Sequence, residues 1–225
     1  CVSCEARHRG VCGALDPEQL VALGKVSVKQ RVDHGAEIVG DAEAVDSYSN
    51  ILSGVVKLTK TLPDGRQQIV GLQFAPDFLG RPFGEESTIN VEAATELTLC
   101  TFPKRAVDRL LEESPGLEKR MLLQKLRELD EAREWMLTLG RKTAMEKVAS
   151  FLLLIASNID PTKSERQAVE FDLPLSRADI ADFLGLTIET VSRQLTKLGA
   201  ENVVRVQNRK IEVPSVGRLS RFAGE

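Results

Sequence analysis

The segment Leu175–Ala200, LSRADIADFLGLTIETVSRQLTKLGA, constrains this chain more than any other stretch. Ser176 and Asp179 stand at capping-box spacing and predict a helix that opens there and runs through Leu184. Gly185 follows, where a tight turn between two helices needs a positive φ. Thr187 can cap the next helix. Ala181 supplies a small residue where two helices would cross, and Val191 a branched apolar residue returning to the core. The pattern predicts a helix-turn-helix whose second helix buries Val191, Leu195 and Leu198. Glu189, Ser192 and Arg193 share another face. On an arbitrary helix that face would be solvated, with a Glu189–Arg193 ion pair contributing about 0.3–0.5 kcal/mol. In a helix-turn-helix, the N-terminal residues of the second helix meet base edges instead. Arginine can bond guanine O6 and N7, glutamate accepts from cytosine N4, and serine or threonine contacts bases or a thymine methyl. Glu189, Ser192 and Arg193 are therefore the candidate readers of double-stranded DNA, with Thr187 and Arg177 beside them.

Downstream, Val203–Val206 and Lys210–Val213 flank Gln207-Asn208-Arg209, the pattern of a β-hairpin wing with a basic tip. Arg209 and Lys210 are candidate phosphate contacts, or ordinary charges on an exposed hairpin. The net charge of −3 hides a split. From Lys142 onward there are 12 Lys/Arg and 11 Asp/Glu, which leaves 18 and 22 before that point. A C-terminal part so mildly basic disfavours broad coating of nucleic acid and leaves phosphate attraction to local patches.

Upstream the pattern changes. Residues 1–14 show no apolar period and read as a loop. Asp16-Pro17 predicts a short helix start. Between Val26 and Phe102, short runs such as Ser53–Leu62 and Gln67–Phe74 read as strands, with Pro63-Asp64-Gly65 as the hairpin turn between them. Leu97–Phe102 alternates, placing Leu97, Leu99 and Thr101 opposite Thr98, Cys100 and Phe102. Close-spaced strands of this kind predict an antiparallel barrel or jelly roll. Pro103 opens a short helix, and Pro115 a long one expected to stop at Gly140. On the long helix Leu122, Leu126, Leu129 and Met136 follow heptad spacing, with Arg133 at the skipped position. That seam suits a homodimer, and the plainer alternative is packing on the chain's own barrel. Thr143 and Glu146 form another capping box. The expected divisions are 1–114 for the N-terminal loop and β-domain, 115–141 for the long helix and 142–225 for the winged helix-turn-helix. No apolar run approaches the roughly 20 residues that span a bilayer, so a cytoplasmic protein without a membrane partner is expected.

The cysteines are Cys1, Cys4, Cys12 and Cys100. A long chain with ample core residues does not need a disulfide framework. Cys1-x2-Cys4 puts two thiolates on one small loop, where they can share a metal. Four thiolates suit zinc or an iron–sulfur cluster equally on spacing alone. Cys100 by itself would be a buried, inert strand residue.

Leu186–Lys197, LTIETVSRQLTK, placed on a winged helix after a β-domain and a long helix, resembles the CRP/FNR superfamily over nearly the whole chain. The Glu189, Ser192, Arg193 pattern is similar to its FNR branch. Gln194 departs from that pattern, since an apolar residue is common there. The resemblance implies an α+β fold: an N-terminal cyclic-nucleotide-binding-like β-roll, a long dimerisation helix and a C-terminal winged helix-turn-helix. It also implies a dimer on palindromic TTGAT-type sites, and contact with RNA polymerase through β-roll loops such as Lys60–Arg66. Finally it implies a [4Fe–4S] cluster held by Cys1, Cys4, Cys12 and Cys100, making the regulator oxygen-responsive. Arg7, His8 and Arg9 would lie near that cluster's negative charge.

A cyclic nucleotide is not expected. Phe83-Gly84-Glu85 imitates the ribose-binding part of such a pocket, but Val91-Glu92 stands where a phosphate-binding arginine would precede Ala93, and a glutamate there would repel phosphate. The rival readings are a regulator of the same fold using thiol oxidation or zinc, and a redox enzyme or electron carrier. Against the second, the chain carries no GxGxxG fingerprint and no nucleophile–base pattern.

Overall fold

A computed structural model describes residues 1, 4, 10–159 and 168–225. The chain forms two compact units, Cys1–Asp130 and Glu131–Glu225, and the division falls inside the long helix.

The first unit opens with a single 3-10 turn at Val11–Ala14. Helix α1, Pro17–Val26, follows. Asp16 accepts from the Gln19 backbone while Gln19 reaches back to Asp16, and Pro17 sits in the first turn, where its missing N–H costs nothing. The strands are β1 (Val28–Val32), β2 (Glu37–Val39), β3 (Ser47–Ser53), β4 (Val55–Thr61), β5 (Gln67–Phe74), β6 (Phe78–Leu79), β7 (Asn90–Ala93) and β8 (Leu97–Pro103). They build two four-stranded sheets, ordered β1-β8-β3-β6 and β2-β7-β4-β5. Gly65, with φ 87°, turns the β4–β5 hairpin.

Alternation along β8 divides the core. Leu97 and Leu99 face the inside of the roll with Ile51, Val56 and Ala93. Cys100 and Phe102 face outward, into a second cluster with Leu20, Leu23, Val107, Leu111, Leu117 and Met121. That second cluster fills the space beneath α1, helix α2 (Lys104–Glu113) and the start of helix α3 (Pro115–Arg141).

Helix α3 runs through Gly140 to Arg141, so Gly140 does not stop it. One glycine costs an exposed helix only about 1 kcal/mol, and the break comes instead where Thr143 caps the next element. Thr143 N donates to Glu146 Oε2 at 2.7 Å, and helix α4 spans Ala144–Ile159. It buries Val148, Phe151, Leu152 and Ile155. The Asp160-Pro161 stop lies outside the described residues. The unit continues with β9 (Val169–Asp172), α5 (Arg177–Leu184), α6 (Ile188–Ala200), β10 (Arg205–Gln207), β11 (Lys210–Val213) and α7 (Val216–Ala223). A three-stranded sheet ordered β10-β11-β9 carries the wing. Trp135, from the last part of α3, packs against Phe183 with ring centroids 4.5 Å apart and the rings tilted by 54°. No helix among the described residues is long and apolar enough to cross a membrane.

Candidate nucleic-acid interface and cysteine site

Ser176 accepts from the Asp179 backbone and Asp179 accepts from Ser176, which fixes the start of α5. Gly185 ends it at φ 61°, ψ 43°, a left-handed conformation that any Cβ would strain. Thr187 caps α6 by accepting from Thr190 N at 3.2 Å. Ala181, Val191, Leu195 and Leu198 are buried between the helices. Gln194 is buried with them, at 7 % exposure. The opposite face of α6 stays in solvent: Glu189, Ser192, Arg193, Thr196 and Lys197 are all exposed. No Glu189–Arg193 ion pair forms among the described residues. Arg193 Nη2 donates to Thr190 Oγ1 at 3.2 Å, and the Glu189 carboxyl is held below its usual range by its own backbone N–H and by Thr187. Glu189 and Arg193 thus lie unpaired with each other on the exposed face of α6.

The basic residues around the wing each hold a partner within their own unit. Arg177 Nη2 donates to Asn208 O at the wing tip, 3.3 Å away, and burial lowers its pKa. Arg209 Nη2 donates to Leu173 O at 2.9 Å. Lys210 pairs with Glu170 at 2.6 Å. All three brace the wing against its own unit. Thr196 and Lys197 extend the exposed face of α6 beyond the residues singled out from sequence; their positions three and four after Arg193 were the available signal.

The cysteines gather at the outer core of the β-roll. Cys12, on the 3-10 turn, is buried, and Cys1 and Cys100 pack against the same cluster. Cys1 Sγ lies 3.9 Å from Ser27 Oγ. Cys4 N donates to Cys1 O at 3.1 Å. Cys100 stands opposite Lys29 on β1 and Asn50 on β3. Burial is the main cause that raises the Cys12 thiol to about 11, and the nearby Cys100 and Cys4 add to it. Cys100 is raised as well, again mainly by burial, with Cys4 adding to it. All four are free thiols. Among the described residues no three Cys, His, Asp or Glu side chains already stand as a metal-coordinating array, so the cysteines converge without a preformed cage. The donor set itself fits a soft metal centre: four sulfurs from two segments. Arg7, His8 and Arg9 lie outside the described residues.

Two family models match the chain. Residues 29–114 fit the cyclic nucleotide-binding domain and residues 146–222 the Crp-like helix-turn-helix domain. A "Probable transcriptional activator" of Rhizobium leguminosarum bv. viciae is 56 % identical over 99 % of this chain and 92 % of its own length. "Transcriptional activator protein FnrL" of Cereibacter sphaeroides is 38 % identical over 100 % of this chain and 92 % of its own. The solved structure of FixK2 from Bradyrhizobium japonicum superposes with a TM-score of 0.77 at 31 % identity, covering 88 % of this chain and 97 % of that one. The chain belongs to the Crp/FNR family of transcription regulators. It is a DNA-binding regulator of the FNR type and not an enzyme.

Within this Crp/FNR chain the β-roll encloses a cavity of about 430 Å³, lined by apolar Ile38, Leu58, Ile89 and Val91 with Ser49 and Thr101. Strand alternation puts Val91 on the cavity. Glu92 turns away to pair with Lys57 at 2.8 Å, which corrects the expectation that it would face a bound phosphate. Phe83 stands exposed with φ 61° beside Gly84.

The long helix has two faces. Leu117 and Met121 are buried in the outer core, whereas Leu122, Leu126, Leu129 and Met136 are 46–73 % exposed in the single chain. Arg133 is exposed along with them.

Proposed function

We propose that the chain is an oxygen-responsive transcription activator that binds palindromic TTGAT-type sites as a homodimer under control of a [4Fe–4S] cluster. The observation that carries the reading is the gathering of Cys1, Cys4 and Cys12 with Cys100 at the base of α2. Cys100 lies three residues before Pro103, which ends β8 and also caps α2, and α2 leads directly into α3. Fixing Cys100 to the N-terminal loop would therefore fix the root of the helix that carries the exposed leucine seam. Burying that seam against a second copy supplies the apolar contact of a coiled-coil pair, and Arg133 within it keeps the association weak enough to regulate. A paired α3 would then set two copies of α6 about one turn of DNA apart.

When bound, the cluster supplies an inorganic centre whose integrity answers to oxygen. Cys1, Cys4, Cys12 and Cys100 would hold it, and each must arrive as a thiolate, so loading releases protons. On α6, Arg193 would take a guanine edge, Glu189 a cytosine amine, and Ser192 and Thr187 a neighbouring base or phosphate. The β4–β5 hairpin, with Leu62 exposed and its Asp64–Arg66 tip in solvent, is the surface offered to RNA polymerase. The β-roll cavity takes no cyclic nucleotide in this reading. Its lining cations are Arg81 and Lys125, and Lys125 is already paired with Glu128 at 2.8 Å.

The same four thiols also suit a second reading, in which zinc or thiol oxidation replaces the cluster. Anaerobic purification separates the two. About four irons per chain, with visible absorbance that is lost in air, is the expected result. Colourless protein holding one zinc per chain would overturn the cluster.

A further inference from the structure

Asn50 lies on β3 between two parts of the thiol site. It stands opposite Cys100 in the β3–β8 register, and its Nδ2 donates to Cys12 Sγ at 3.1 Å. The residue is 6 % exposed, and its Oδ1 has no hydrogen-bond partner among the described residues. A buried amide ordinarily satisfies both ends. This one gives its N–H to a sulfur and leaves its carbonyl unmet. Packing does not call for an amide here, because Asn50 sits opposite Phe78 on β6 and beside the apolar cluster that holds Cys12. A leucine would fill the same space without a buried polar atom.

We propose that Asn50 is a positioning residue of the cysteine site. Its N–H holds Cys12 Sγ on the side of Cys100 and draws electron density from that sulfur when the sulfur serves as a ligand. The proposal rests on the cluster reading given above. Hydrogen bonds to ligating sulfurs are among the factors that set the potential of an iron–sulfur centre, and partners behind the ligands govern how firmly a metal is held. Ser49 provides an internal comparison. It is the neighbouring buried residue on β3, but it bonds Thr101 Oγ1 at 2.8 Å and lines the cavity on the other face of the strand.

The test compares full-length wild type with Asn50→Leu, Asn50→Asp and Ser49→Ala, all purified without oxygen. Iron per chain, reduction potential and the rate of iron release to excess chelator are measured, and thermal unfolding of the same samples separates a lost fold from a lost ligand. Asn50→Leu should release iron about 10-fold faster and titrate at a lower potential. Asn50→Asp, with the same shape but a carboxylate facing the sulfurs, should be worse. Ser49→Ala should match wild type. If wild type holds iron and Asn50→Leu keeps its potential and release rate, the proposal is overturned and the cluster reading stands. If wild type holds no iron, the cluster reading falls, and the same proteins are compared for zinc affinity against a chromophoric chelator. Unchanged zinc affinity then overturns the role of Asn50, and an affinity about 10-fold weaker supports it at a zinc site.

Discussion

The winged helix and the cysteine site are built in opposite ways. Every boundary of the helix-turn-helix is set within about four residues of itself: Ser176 by Asp179, the turn by Gly185, α6 by Thr187 and Thr190. Its core residues Ile180, Leu184, Val191 and Leu198 are no more than 1 % exposed. The cysteine site draws on a terminal turn, on α1 and on a central strand whose Cys100 is far from the others in sequence. The DNA-reading surface is thus preformed by local contacts. The thiols are brought near one another by the fold but not arrayed as ligands. The reader is thus set by contacts near in sequence and the thiol site by contacts far apart in it.

The largest effect should come from breaking the long-range half. Cys100→Ser is expected to remove essentially all bound iron, because a cluster left with three thiolates loses the anchor on β8. The winged unit should be untouched, so its thermal transition in the same protein should not move. Iron analysis and calorimetry on one sample decide the matter. Full iron retention would exclude Cys100 as a ligand, and a shifted winged-unit transition would show that the two regions are not independent in this way.

The same difference explains what could be read before any coordinates. The caps, the turn glycine and the inward face of α6 are legible because helix signals act over one or two turns. The alternation of β8 correctly put Cys100 and Phe102 on one face, away from Leu97 and Leu99. That Cys100 shares a cluster with Cys12 is not legible locally, since it depends on sheet order and on α1 packing on the outer face. Asn50 is hidden for the same reason: nothing in SYSNILS marks one amide, and only its register against Cys100 reveals it. Gly140 misled because glycine weakens a helix without having to end it. Sign of charge alone does not place an arginine: Arg177 and Arg209 donate to backbone carbonyls of the wing and of the β9–α5 connection.

Within the reader, Arg193→Ala should have the next largest effect. The side chain is exposed, and its one internal partner among the described residues is the Thr190 hydroxyl, so stability should change little. Specific binding should weaken by about 1–3 kcal/mol, with preference lost at one base pair of each half-site. Binding to a panel of half-site variants measures both. A uniform loss across all sequences would reassign Arg193 to the phosphate backbone.

Arg209→Ala is the smallest and most discriminating change. The Arg209 guanidinium donates to Leu173 O at 2.9 Å while Leu173 N donates to Arg209 O at 2.8 Å, so the residue closes the wing onto the strand end beside it. If bracing is its role, truncation costs the unit about 1 kcal/mol of stability, the worth of one hydrogen bond. The dependence of DNA affinity on salt should then keep its slope, because no phosphate contact has been removed. If Arg209 instead leaves Leu173 and neutralises a phosphate in the complex, the slope of log K against log salt falls by about 0.9 while stability of the free protein changes by the same small amount. The slope therefore separates a wing held shut by its own arginine from a wing that lends that arginine to DNA, and the structure favours an unchanged slope.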